Sequence, residues 1–131
     1  MLFHTFASQD ERRKFGGSAF MELQKCKQKP GTKLEEIVSI ETISHWKNDS
    51  LYVYADDIQG FYAIYGKIFM DGCYQNGKRG IVDCWGVNYY TPEQTMRIAR
   101  VLAEEKPKDF QVLLDWLTGG EKYNGFYLLG V

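Results

Sequence analysis

Asn76-Gly77, set between two apolar segments, constrains this chain more than any other pair of residues in it. A type I′ turn needs positive φ at both central positions, and Asn followed by Gly tolerates that best, so the pair predicts a β-hairpin. Its arms run over about Phe61 to Tyr74 and Arg79 to Tyr90, and the second leads straight into Thr91-Pro92-Glu93-Gln94. Thr91 reads as an N-cap, Pro92 as a first helical residue with preset φ, and Gln94 as the capping-box partner. A hairpin feeding a helix points to a mixed α and β domain.

The rest of the chain fills in that frame. Ser18 to Cys26 reads as a short helix, with Phe20, Leu23 and Lys27 at helical spacing and Pro30-Gly31 as its stop. Ile37 to Trp46 alternates as a strand, Asn48-Asp49-Ser50 turns, and Leu51 to Ala55 forms a second strand before the Asp56-Asp57 turn. Pro92 to about Glu105 is a helix with Met96, Ala99, Leu102 and Ala103 along one face. Pro107 to Thr118 is another, with Phe110, Leu113, Leu114 and Leu117 at i, i+3, i+4 and i+7 and Gly119-Gly120 after them. Tyr123 to Val131 pairs into the sheet as its last strand. The expected fold is α+β: a meandering antiparallel sheet of about five strands with a C-terminal helical pair on one face. All 131 residues make one domain, with residues 1–30 a loosely attached basic arm carrying a short helix.

A two-residue loop at Asn76-Gly77 makes paired positions sum to 153, which assigns faces. Ile64, Ile68, Met70, Tyr74, Ile81, Trp85, Val87 and Tyr89 gather on the face expected to meet the core. Tyr65, Lys67, Phe69, Asp71, Cys73, Val82, Cys84 and Asn88 gather on the other, more exposed face. The same register holds Cys73 and Cys84 four strand residues apart, roughly 13 Å at about 3.3 Å per residue. That is too far for a disulfide, which needs Cα atoms within about 7 Å.

Twenty aromatics (8 Phe, 9 Tyr, 3 Trp) favour pleated surfaces and leave room for an aromatic recognition patch. The net charge of −1 is uneven: residues 1–33 carry seven Lys or Arg against three acids, and residues 34–131 carry nine against fourteen. An excess of four is far from the dense basic surface of a nucleic-acid-binding tail. The first residues lack a basic then apolar leader, and no run of about 18 apolar residues marks a membrane span. Three cysteines, an odd number, suit a reducing cytoplasmic setting.

Chemistry is sparsely supported. Cys84 with His45 is the one pairing that supplies a thiol and a base, but Asp83 beside Cys84 favours the neutral thiol. The cysteines at 26, 73 and 84 and histidines at 4 and 45 lack metal-ligand spacing, and Asp56-Asp57 with Asp71 and Asp83 match no calcium loop. The hairpin register puts Asp71 and Asp83 on opposite faces, against a shared acid–base site. Gly16-Gly17-Ser18 is a weak anion-binding pattern. Neither a metal nor a cofactor is expected.

These observations favour binding over turnover. The leading expectation is a small non-catalytic intracellular protein-binding domain, an inhibitor or accessory factor of a phage or mobile element being one form. The alternative is a binder of a nucleotide-like small molecule or single-stranded nucleic acid, using Tyr65, Lys67, Phe69 and Tyr90 on an aromatic sheet face. The third is a cysteine-dependent enzyme using Cys84 and His45.

Overall fold

A computed structural model describes residues 1–14 and 19–131. Six antiparallel strands form one sheet: β1 (Phe20–Lys25), β2 (Leu51–Tyr54), β3 (Gly72–Tyr74), β4 (Arg79–Gly80), β5 (Val87–Tyr90) and β6 (Phe126–Leu129), in the order β2-β1-β6-β5-β3-β4. The helices are α1 (Gln9–Lys14), α2 (Leu34–Ile37), α3 (Ile58–Tyr65), α4 (Pro92–Glu105) and α5 (Phe110–Gly119). The α+β fold with α4 and α5 against the sheet is as the sequence reads. The last strand inserts between β1 and β5, with Leu23 opposite Leu128 on one side and Asn88 opposite Leu128 on the other.

Helix α4 begins as its sequence dictates. Thr91 accepts from the Gln94 amide and Gln94 returns a side-chain bond to the Thr91 amide, so two orphan N–H groups are satisfied. Its buried stripe is Ile98 and Leu102, with Met96 turned to solvent; α5 buries Leu113 and Leu117.

Elsewhere local patterns yield to pairing. Where a helix was expected at 18–26, Phe20–Lys25 form strand β1, because they lie between β2 and β6 and are covered on both faces. Met21 and Leu23 point to the helix side, Phe20, Glu22 and Gln24 to the other. The strand expected at 37–46 is instead the short helix α2 and a run of turns, whose Ile37 and Val38 cap the second face of the sheet. The first hairpin arm starts as a helix and reaches the sheet only at β3: Ile58, Phe61 and Tyr65 stand at i, i+3 and i+7 and are all buried in α3.

The hairpin itself forms, one residue out of the expected register. The Gly77 amide bonds the Tyr74 carbonyl and the Tyr74 amide bonds the Lys78 carbonyl, so the loop has three residues, with Gly77 at φ +86°. Cys73 therefore faces Arg79, and Gly72 faces Gly80. A type I turn closed by glycine in the left-handed region is the usual three-residue solution. Beyond the short paired segments, turns and helix α3 set the faces. Ile68 and Tyr89, assigned to the core, are buried as expected, but Met70, Ile81 and Trp85 of that set are exposed, while Tyr65, Phe69, Val82 and Cys84 of the other set are buried.

Both faces of the sheet carry a core. The larger lies under α3, α4 and α5 and joins Met21, Leu23, Val53, Leu128 and Phe126 to Phe61, Phe69, Leu102 and Leu113. On the opposite face Cys26, Ile37, Val38, Cys73, Tyr89, Tyr127 and Leu129 form one cluster, and Phe6, Phe20 and Tyr52 another. The N-terminal segment is thereby part of the structure, with Leu2, Phe3 and Phe6 buried and His4 bridged to Tyr52. Among the described residues of 1–30, these contacts and strand β1 stand where a loosely attached arm was expected. Arg12 of α1 is buried with its guanidinium carbon 3.6 Å from the centre of the Trp46 ring, a cation–π contact that fixes α1 over this face.

Candidate docking surface

The residues singled out for recognition do not meet on a surface. Tyr65, Phe69 and Tyr90 have no exposure at all. Tyr90 stacks on Phe126 at 4.9 Å, Phe69 meets Tyr90 edge-on at 5.6 Å, and Phe61 stacks on Tyr65 at 5.3 Å. The two hydroxyls donate inward, Tyr65 to the Lys108 carbonyl and Tyr90 to the Phe69 carbonyl. Lys67 is exposed in the turn after α3. The three rings are core because helix α3 stands in place of the first arm: Tyr65 is in α3, Phe69 follows in the turn after it, and Tyr90 of β5 packs with them in the larger core.

Cys84 and His45 are likewise apart. Cys84 packs into the helix-side core, where burial and then the neighbouring Asp83 charge push its thiol up from the ordinary value. His45 lies across the sheet, its Nδ1 3.7 Å from the Glu22 carboxylate. A buried neutral thiol without a base has no route to a thiolate nucleophile. Cys26 and Cys73 are also buried and free. Asp71 pairs with Arg97 at 3.7 Å, away from Asp83, so these carboxylates share no site. Among the described residues no three His, Cys, Asp or Glu side chains converge as metal ligands would. Residues 16 and 17 and Ser18, the weak anion-binding pattern, lie outside the described residues.

What the surface does offer is Trp85. Its side chain is 70% exposed, although tryptophan is a residue proteins ordinarily cover. The loop that carries it is firmly bonded. Asp83 Oδ1 accepts the Trp85 amide at 2.9 Å, and the Asp83 carbonyl accepts from the Gly86 amide and from Asn88 Nδ2. Asn88 is fully buried and also accepts the Asp83 amide at 2.8 Å and donates to the Leu128 carbonyl in the central strand at 2.9 Å. One buried amide side chain thus ties the Trp85 loop to the middle of the sheet.

Beside Trp85 lies an open hollow of about 420 Å³ lined by Ile58, Tyr62, Ala63, Val82 and Cys84, with Asp83 at its edge. Tyr62, 44% exposed, faces out from α3. Two exposed rings around an apolar depression, held on a helix and a bonded loop, make a preorganised contact surface. The sequence did carry a sign of it. Asp83-Cys84-Trp85-Gly86 has Asp first and Gly fourth, a type I turn signature that leads into β5 and turns Trp85 outward.

Comparison of the chain with family models, curated proteins and solved structures finds no match. Among the described residues no helix is long and apolar enough to cross a membrane. The functional reading therefore rests on the surface.

Proposed function

We propose that this chain is a small non-catalytic protein-binding domain that works in the cytoplasm by occupying a partner protein, as an inhibitor or accessory factor. The observation that carries the reading is the solvent-facing Trp85 ring on a loop bonded to the sheet through Asn88. Tryptophan and tyrosine lead the residues that anchor protein interfaces, and truncating such an anchor removes at least about 2 kcal/mol of binding. The hollow beside it accepts an aliphatic side chain, and Asp83 at its edge favours a flanking Lys or Arg on the partner. The buried state of Cys84 and its separation from His45 weigh against turnover.

The test compares affinity capture by the tagged wild type with Trp85→Ala and Tyr62→Ala, under nuclease treatment. A partner retained by the wild type and by Met96→Lys, on a different surface, but lost by both ring variants at unchanged melting temperature supports the reading. Capture profiles that do not change with Trp85→Ala would overturn it.

A further inference from the structure

The face of the sheet opposite the larger core carries a buried charge whose hydrogen bonding is incomplete. Arg12 of α1 is only 5% exposed. Its guanidinium carbon lies 3.6 Å from the centre of the Trp46 ring and 5.5 Å from that of Phe20. Aromatic faces offset part of a cation's charge, but they present no lone pair to an N–H group. Nε and Nη1 are buried with no hydrogen-bond partner among the described residues. No carboxylate among those residues pairs with Arg12 either. Glu22, the buried acid of this face, spends its oxygens on Ser50, Gln24 and the amides of Trp46 and Lys47.

Arg12 lines a small cavity of about 20 Å³ together with Ser8, Gln9, Trp46, Lys47 and Asn48. Its wall therefore includes two cationic residues, and none of its lining residues is acidic. Ser8 Oγ accepts the Glu11 amide at 3.1 Å, which leaves the hydroxyl hydrogen to donate. Gln9 and Asn48 add amide N–H groups. The acids of α1 are engaged away from the cavity: Asp10 pairs with Arg13 at 3.6 Å, and Glu11 accepts the Ala7 amide at 2.7 Å.

We propose that this cavity is a binding site for one monatomic anion of halide size, held against the Arg12 guanidinium. A buried cation without a counter-charge is costly, and an anion beside it returns a charge-assisted hydrogen bond stronger than a water can offer. Volume sets the class. About 10–15 Å³ holds one water-sized sphere, so this cavity admits a single small ion and shuts out phosphate, sulfate and carboxylates. Because its wall joins α1 to the turn at residues 46–48, the bound anion ties the two together and stabilises the folded chain.

Thermal melting of the full chain at constant ionic strength, with sodium chloride replacing sodium gluconate stepwise, tests this. The melting temperature is expected to rise by a few degrees and then saturate. Bromide should act as chloride does, while sulfate and acetate should do no more than gluconate. Arg12→Met, which keeps an apolar stem against Trp46, should remove the chloride response, and Lys47→Gln should weaken the apparent chloride affinity several-fold. Crystals of the wild type soaked in bromide give a readout that needs no variant to fold, with an anomalous peak expected beside Arg12. Equal melting in chloride and gluconate, a full chloride response kept by Arg12→Met, or stabilisation by sulfate as strong as by chloride would each overturn the assignment. So would bromide bound only elsewhere on the molecule.

Discussion

The Ser50 hydroxyl donates a 2.6 Å hydrogen bond to Glu22 Oε2, and both residues are almost wholly withdrawn from water. Glu22 stands in the middle strand of the β2-β1-β6 group, on the face opposite the helices. Its other oxygen accepts the Trp46 amide at 2.8 Å, and Oε2 also takes the Lys47 amide and Gln24 Nε2. A carboxylate in the sheet thus supplies the acceptors that the backbone amides of Trp46 and Lys47, in the irregular segment 44–50, cannot find in regular structure. Without it, that segment has two amides to leave unbonded.

Glu22→Ala is therefore expected to destabilise by about 3 kcal/mol or more, because it strands buried donors. Glu22→Gln keeps one acceptor but turns an NH₂ toward existing donors, and should cost about 1–3 kcal/mol. Urea unfolding measures both. Equal stability of Glu22→Ala and wild type would contradict the anchoring role.

The buried and exposed rings should separate cleanly under alanine substitution. Phe69→Ala opens a void between Tyr90, Phe126 and Phe61, and is expected to lose about 3–5 kcal/mol. Trp85→Ala removes a ring that packs on little, and stability should stay within about 0.5 kcal/mol. Melting temperatures of the two variants check the assignment of faces independently of any partner.

Two glycines at positive φ differ in what surrounds them. A side chain at Gly77 would meet nothing within 4 Å, so Gly77→Val pays for backbone conformation alone, about 1 kcal/mol or somewhat more. At Gly125, with φ +80°, a Cβ would also run into the Tyr90 carbonyl oxygen just before strand β6. Gly125→Ala should be the more damaging change despite adding the smaller side chain, as denaturant midpoints will show.

Alkaline pH should unfold the protein. Burial pushes the phenols of Tyr52, Tyr65, Tyr89, Tyr90 and Tyr127 above their ordinary value, and the thiols of Cys73 and Cys84 likewise. A raised pKa in the folded state means that the unfolded chain releases these protons first. Their contribution is thus complete below the unfolded values, about 8.5 for Cys and about 10 for Tyr, and is lost as pH rises from there through the raised folded values. The melting temperature should fall from about pH 9 upward. Tyrosinate absorbance of these five residues should appear only with unfolding; reversible ionisation of all nine tyrosines in the folded protein would refute the burial pattern.

Short-range chemistry was legible wherever it acts within a few residues. Thr91, Pro92 and Gln94 start α4, Leu113 and Leu117 mark the buried stripe of α5, and Asn76-Gly77 turns the chain, because caps, helical periodicity and positive φ depend on neighbours alone. Tertiary structure decided what those signals left degenerate. Phe20 and Leu23 suit a helix or a strand, and β1 is a strand only because β2 and β6 flank it. A three-residue loop in place of a two-residue one is a small change in sequence terms. Yet it shifts the pairing to Cys73 with Arg79, while the turn at the end of α3, where the Phe69 amide bonds the Tyr65 carbonyl, carries Phe69 inward and leaves Met70 outside. Trp85, a core residue by alternation, is the most exposed of the described Phe, Tyr and Trp rings, because Asn88, bonded across to β6, holds its loop open to solvent.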